Sequence, residues 1–416
     1  MEREEQCEGR AGKRRALNRA TRDADAATSA VPGLKIALVA GEMSGDLLGG
    51  ILVGALRERF PDAEFYGVTG TQMEAAGCRS IASIDALSVM GIAEVIPALP
   101  RILRLRRMLF ERFSVDRPDV VIGIDAPDFN LGLERRLRAR GLRTVHVVSP
   151  TVWAWRAGRV KTIARAVERI LCLFPFEPAF YAQHGAPDKA VYIGHPLADQ
   201  LDDRVTPAQA RTVLGLPEAG PVVAVLPGSR GSELKYLAEP FVRAAALIAV
   251  KQQGVRFVTP IAKPSLRVQM QAAIDAHAPG LAWTLVDGQA REAMRAADAV
   301  LITSGTATLE CLLLGRPMVV AYRGAALTAW LLLSAGMLKT PHVSLPNLLS
   351  DEAVVPELLQ QQATPEALAA TLLPLLESDV ARTRQLQQFD RVRVRLRCGA
   401  ARQAAEAIAS LLENQA

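Results

Sequence analysis

Lys35-Ile36-Ala37-Leu38-Val39-Ala40-Gly41-Glu42-Met43-Ser44-Gly45-Asp46 opens on a short apolar, partly β-branched run and closes in a turn of small residues and carboxylates. A run this short and apolar, closed by glycine and serine, predicts a strand buried on both faces. Residues 46–60 carry a helical apolar period, so the whole segment reads as strand, turn, helix. The same pattern recurs, with further buried strands expected at 64–68, 119–124, 143–148, 169–173 and 191–194. Strands alternating with helices in this way predict a parallel sheet covered on both faces.

The alternation pauses over the polar stretch 198–220, which ends in Leu216-Pro217-Glu218-Ala219-Gly220-Pro221, and an interdomain connection is expected near residue 200. It restarts with strands expected at 222–226, 256–260, 283–286, 299–303 and 318–322. The fold class expected is therefore α/β, with two consecutive Rossmann-like domains. The divisions are 1–33 as a disordered extension, 34–200 and 201–385 as the two domains, and 386–416 as C-terminal helices packing back on the N-terminal domain or on a partner subunit. Residues 391–397 alternate like a strand, but no turn signal brackets them and helix is the better reading.

Composition agrees with a globular chain of two or three domains: 416 residues, 50% hydrophobic and 22% charged. A net charge of +6 and a pI near 9.2 allow anionic partners, whether nucleic acid, anionic lipid or sugar phosphates. The five cysteines show no C-x-x-C pair and the five histidines no H-E-x-x-H spacing, so neither a disulfide framework nor a metal site is indicated, and no cofactor is expected. The start lacks an apolar signal region, and residues 325–338 fall short of the roughly 20 apolar residues that span a bilayer. A cytoplasmic, reducing compartment is the default reading.

No G-x-G-x-x-G follows the first strand and no G-x-x-x-x-G-K-[ST] occurs, which removes the main support for dinucleotide oxidoreductases and P-loop phosphotransferases. The turn after the first strand places Glu42, Ser44, Gly45 and Asp46 where open α/β sheets bind ligands, although it reads equally as a capped helix start. Asp125, first past the apolar run of residues 120–124, should be partly desolvated at the sheet edge, where a raised pKa suits a general base. Asp128 is given the cap or Asx-turn role. Gly228, Ser229 and Arg230 follow the strand at 222–226 and make an anion site suited to a diphosphate. Ser304, Gly305 and Thr306 open a helix in a way that suits phosphate. Glu310, misplaced for a capping box, suits a ribose diol.

These elements, in this order, resemble the lipid-A-disaccharide synthase family of GT-B glycosyltransferases. The matching blocks are 40–46, 90–95, 124–130, Ser149-Pro150-Thr151-Val152-Trp153-Ala154-Trp155-Arg156, 173–177, Gly194-His195-Pro196, 226–230, 304–310 and Leu345-Pro346-Asn347-Leu348-Leu349. Met43 stands where the family more often has Ala, and the N-terminal tail is extra. The resemblance implies two Rossmann-like domains whose parallel sheets face a central cleft. It also implies an inverting, metal-free transfer from UDP-2,3-diacylglucosamine to 2,3-diacylglucosamine 1-phosphate, giving a β(1→6) disaccharide phosphate and UDP.

On this resemblance Asp125 is the base and Arg230 the diphosphate clamp, with Glu310 and Asn347 near the donor's ribose or uracil. Glu42, Ser44, Gly45, Asp46, Met90 and Gly91 fall on the acceptor side. Acylated substrates imply work at the cytoplasmic face of the inner membrane. Arg101, Arg104 and Arg107, with Leu105 and Leu109 at helical spacing, are the candidate lipid-facing residues, against the commoner reading of a helix packed on the sheet. Nucleic acid is not an expected partner, and a homodimer is compatible with the sequence. The competing readings are another GT-B enzyme on a UDP-sugar, such as an N-acetylglucosaminyltransferase or UDP-GlcNAc 2-epimerase, and an inert membrane-surface or nucleotide-sugar binding protein.

Overall fold

The computed structural model describes residues 33–87, 92–155, 157–324 and 342–413. The expected N-terminal extension, Met90, Gly91 and the apolar stretch 325–338 therefore lie outside the described residues, except Gly33 of the extension. The strands are β1 (Lys35–Ala40), β2 (Glu64–Thr69), β3 (Arg79–Ser83), β4 (Val120–Ile124), β5 (Thr144–Val147), β6 (Arg169–Cys172), β7 (Ala190–Tyr192), β8 (Val222–Leu226), β9 (Arg256–Ile261), β10 (Trp283–Asp287), β11 (Ala299–Thr303), β12 (Met318–Tyr322) and β13 (Glu357–Leu359).

They form a seven-stranded sheet of order β3-β2-β1-β4-β5-β6-β7 and a six-stranded sheet of order β10-β9-β8-β11-β12-β13. The registered pairs are parallel, for example Leu38 with Ile122 and Leu301 with Val225. In both sheets the chain starts in the middle, winds to one edge, then returns and winds to the other. The order therefore reverses between β1 and β4 in the first sheet and between β8 and β11 in the second, the places where doubly wound sheets bind ligands.

Strands β1, β4, β8 and β11 are buried almost throughout, as continuous apolar runs predict. Two edge strands, β3 and β13, were not expected from the sequence. Arg-Ser-Ile-Ala-Ser is polar and half exposed, and the three residues of β13 are only half buried, so neither carries an apolar signature. The first helix runs over Met43–Arg59, starting three residues before the apolar period suggested. Residues 391–396 are helical within Asp379–Leu396.

Two compact units result. One falls within Met1–Pro150, Thr162–Leu171 and Ala401–Ala416, the other within Thr151–Lys161 and Cys172–Ala400. The polar stretch expected to hold a connection lies between the ends of β7 and β8, at Tyr192 and Val222. Within the second unit, β8, β11 and β12 pack one face against Leu309, Leu312 and Phe389 and the other against Leu237, Phe241 and Leu372. That two-sided burial fixes the strand ends from which the site loops spring.

Candidate active site

In the first unit Asp125 and Asn130 gather at the end of β4. Asp125 leaves the strand with φ +51° and Ala126 follows with φ +43°, two left-handed residues in succession, neither of them glycine. Such strain persists only where neighbours hold it. Asp125 N donates to Val147 O at 2.9 Å. Asn130 Nδ2 donates to the Asp125 carbonyl at 2.9 Å and to Val39 O at 3.1 Å, tying the ends of β1 and β4 together. Burial first, and the Glu42 carboxylate second, push the Asp125 carboxyl above its ordinary value, while the Ala126 backbone N–H and His146 pull it back. A half-buried carboxyl with a raised pKa at a sheet's switch point has the properties of a general base.

The turn after β1 divides its residues between two roles. Glu42 and Ser44 are exposed, with Ser44 Oγ donating to Glu42 Oε1 at 2.7 Å. Gly45 is buried. Asp46 is also buried, and its carboxylate accepts the backbone N–H groups of Gly70, Gln72 and Met73 at 2.8, 2.9 and 3.1 Å. The expectation that Asp46 lines a ligand cleft is corrected, because its charge is spent on the start of the neighbouring helix Thr71–Ala75. Capping was the competing reading, although the helix capped is not its own.

In the second unit a cavity of about 470 Å³ opens over the switch point, lined by Gly228, Ser229, Arg230, Ser304, Gly305 and Thr306 among others. Sequence reasoning named all six. It missed Glu233, Gly288, Gln289 and Thr303, which also line the cavity. Gln289 sits at φ +52° at the start of helix Ala290–Ala296. The Thr303 hydroxyl is buried with no hydrogen-bond partner among the described residues. A hydroxylated last residue on a strand otherwise apolar was the signal that could have found Thr303.

Glu233 changes the picture of the anion site. Its Oε2 accepts from Ser229 N and Arg230 N at 2.8 and 3.2 Å, and Arg230 Nη1 donates to its Oε1 at 3.0 Å. The backbone amides expected to hold a diphosphate thus already hold a carboxylate, and the Arg230 guanidinium, otherwise exposed, is paired to it. Gly228 is required here. Its φ is +130°, and a Cβ would stand 2.3 Å from Glu233 Oε2.

Two expected donor contacts lie outside the cavity lining. Glu310 Oε1 accepts from Arg291 Nε at 2.8 Å. Asn347 is buried and spends its whole amide on the protein: Nδ2 donates to Val355 O and Glu357 Oε1, both at 2.8 Å, and Oδ1 accepts from Val354 N and Val355 N, both at 2.9 Å. As a direct ligand contact Asn347 is corrected; it anchors the backbone beside β13.

The arginine-rich helix spans Ile92–Asp116. Leu105 and Leu109 are buried, so their expected lipid-facing role is corrected: with Phe113 they form the core face. Arg101, Arg104 and Arg107 are exposed, and so are Leu99 at 46% and Leu103 at 44%, one turn apart. Among the described residues no cluster of His, Cys, Asp and Glu could hold a metal ion, and no helix is long and apolar enough to cross a membrane.

Residues 36–410 match the family model described as lipid-A-disaccharide synthetase. The lipid-A-disaccharide synthase of Pseudomonas aeruginosa (strain UCBPP-PA14) is 51% identical over 383 residues, covering 92% of this chain and 99% of that protein. Among solved structures, the UDP-GlcNAc 2-epimerase from Neisseria meningitidis bound to UDP-GlcNAc is similar at a TM-score of 0.59 and 11% identity, over 92% of this chain and 100% of that one. A glycosyltransferase from Rickettsia africae ESF-5 is similar at 0.57 and 12% identity, over 93% and 100%. At these identities the structures speak to fold alone, and the fold is GT-B. A family model spanning most of the sequence and a relative half identical along its length agree, and this chain belongs to the lipid-A-disaccharide synthase family.

Proposed function

We propose that the protein is an inverting glycosyltransferase that condenses UDP-2,3-diacylglucosamine with 2,3-diacylglucosamine 1-phosphate. The products are the β(1→6)-linked disaccharide 1-phosphate and UDP. Family membership supports the reaction, and the observation that carries its mechanism is the desolvated Asp125 carboxyl at the β4 switch point. In one direct displacement the acceptor's 6-hydroxyl attacks the donor's anomeric carbon. Its proton passes to the Asp125 carboxylate, and the bond to the diphosphate oxygen breaks with its electron pair leaving on UDP.

The second unit's cavity is the donor site in this reading. Arg230 and the amides of the 228–230 turn take the diphosphate, with Ser304, Gly305 and Thr306 at the helix start beside them. Glu310 reaches the nucleoside when Arg291 releases it, and Glu42 and Ser44 serve the acceptor side. No step requires a metal.

The acyl chains bring the enzyme to a lipid surface, and Leu99 and Leu103 with Arg101, Arg104 and Arg107 are the residues suited to the cytoplasmic face of the inner membrane. Purified protein incubated with both substrates should yield the disaccharide phosphate by mass detection. Turnover of UDP-GlcNAc without that product would instead favour the epimerase-like reading.

A further inference from the structure

One side chain gathers the turn that carries Asp125. Asn130, 1% exposed on the helix Pro127–Arg138, donates from Nδ2 to the carbonyls of Asp125 at 2.9 Å and Val39 at 3.1 Å, and more weakly to that of Ile124 at 3.4 Å. Its backbone N donates to Ala126 O at 3.0 Å. The end of β1 and every carbonyl from Ile124 to Ala126 are thus held by a single residue. Its own Oδ1 is buried with no hydrogen-bond partner among the described residues.

This arrangement is costly. Asp125 and Ala126 are left-handed without being glycine, and Val148, first past the neighbouring strand β5, is left-handed at φ +76° although it is β-branched. Two glycines clear the space. A Cβ on Gly41 would stand 2.3 Å from Ala126 Cβ, and one on Gly123 would stand 2.9 Å from Asn130 Cβ and 2.1 Å from Glu134 Oε1. A glycine inside a central strand, an amide buried with an orphaned oxygen and strained residues in succession each cost stability, and an ordinary strand-to-helix turn needs none of them. Their concentration where one carboxyl leaves its strand marks a geometry kept for function.

We propose that Asn130 is a positioning residue for Asp125: its amide, bonded directly to the Asp125 carbonyl, holds the left-handed turn and so fixes where the carboxyl stands. The inference rests on the reading of Asp125 as the base. Buried as it is, the amide acts through the backbone and not on a substrate. An amide is also what the position calls for, since a carboxylate would face the same carbonyls with no donor and an aliphatic side chain would leave them unbonded. Without it, Asp125 and Ala126 are free to relax toward negative φ, which turns the Asp125 side chain out of its place.

The test is a double-mutant cycle on kcat for disaccharide formation by the full-length protein. Asn130→Ala should lower kcat by about 10²-fold, the order expected when a reacting group is misplaced by about 1 Å, with KM for both substrates unchanged. Added to Asp125→Asn, the same change should cause no further loss, because a residue that acts only through the base has nothing to position once the base is gone. A merely structural contribution would be felt with or without the base. Parental kcat in a folded Asn130→Ala, or a further loss of similar size in the double variant, therefore overturns the positioning role. If far-UV circular dichroism shows Asn130→Ala unfolded, Asn130→Ser, which keeps a polar group at the buried position, decides by the same two comparisons. Asp125→Asn separates the two readings: activity retained there sinks the base assignment, whereas activity lost there with parental kcat in the Asn130 variant sinks only the positioning role.

Discussion

The two sheets share one winding pattern, yet their switch points are furnished in opposite ways. At the end of β4 the first sheet presents a strained, half-buried carboxyl beside a second carboxylate, Glu42. At the ends of β8 and β11 the second sheet presents glycine, small hydroxyls and an arginine around an open cavity. One arrangement raises a proton affinity and the other gathers N–H donors. A parallel sheet thus supplies only a location; which groups the location presents depends on whether the first residue past the strand is an acid or opens a glycine-rich turn.

The sharpest way to break this comparison is Asp125→Asn. Disaccharide formation should fall by roughly 10³-fold with UDP affinity unchanged, because only the proton-accepting group is lost. The same variant should be more stable than the parent at neutral pH. The raised pKa means the folded state holds the Asp125 proton more tightly than the unfolded chain does. Charged Asp125 therefore destabilises the fold once pH rises above the ordinary carboxylate range, and the Tm gain of Asp125→Asn should shrink as pH falls through that range. A lower Tm at pH 7 would contradict the desolvation account.

Asp46→Ala removes the acceptor of three backbone N–H groups and should cost about 3 kcal/mol in denaturant unfolding. An unchanged KM for the acceptor in the folded fraction would keep Asp46 on the structural side of the comparison. Arg230→Ala should weaken UDP binding by about tenfold or somewhat more, the worth of a charge-assisted contact, and slow the chemical step; unchanged kinetics would remove the clamp. The smallest effect is expected for Glu233→Gln. That change withdraws a negative charge from amides that a diphosphate needs, and UDP should bind about threefold tighter by calorimetry. Weaker binding would make Glu233 an integral part of the donor site instead of its occupant in the free protein.

Much of the fold was legible because fully buried parallel strands leave an unambiguous trace. Lys35–Ala40, Val222–Leu226, Ala299–Thr303 and Met318–Tyr322 fall where their apolar runs place them. The edge strands Arg79–Ser83 and Glu357–Leu359 were invisible because an edge needs little apolar surface. The placement of the candidate residues was legible to the same degree. Asp125 follows β4, and Gly228, Ser229, Arg230 and the 304–306 turn line one cavity, positions that the ends of the apolar runs mark in the sequence. Asp46, Leu105, Leu109 and Asn347 were misassigned because residue type and spacing do not say which neighbour a side chain meets.

By itself the sequence determined that there are two α/β sheets, where their central strands end, and that an acid follows one strand while a glycine–serine–arginine turn follows another. These follow from local periodicity and turn chemistry, which act over a few residues. Only the tertiary structure decided which carboxylates carry free charge. Asp46 reaches Gly70 and Met73, Glu134 meets His146 over Gly123, and Glu233 folds back onto Ser229. The physical reason is that a carboxylate's role depends on its desolvation and on the N–H groups within about 3 Å, and most of those arrive from other turns of the chain.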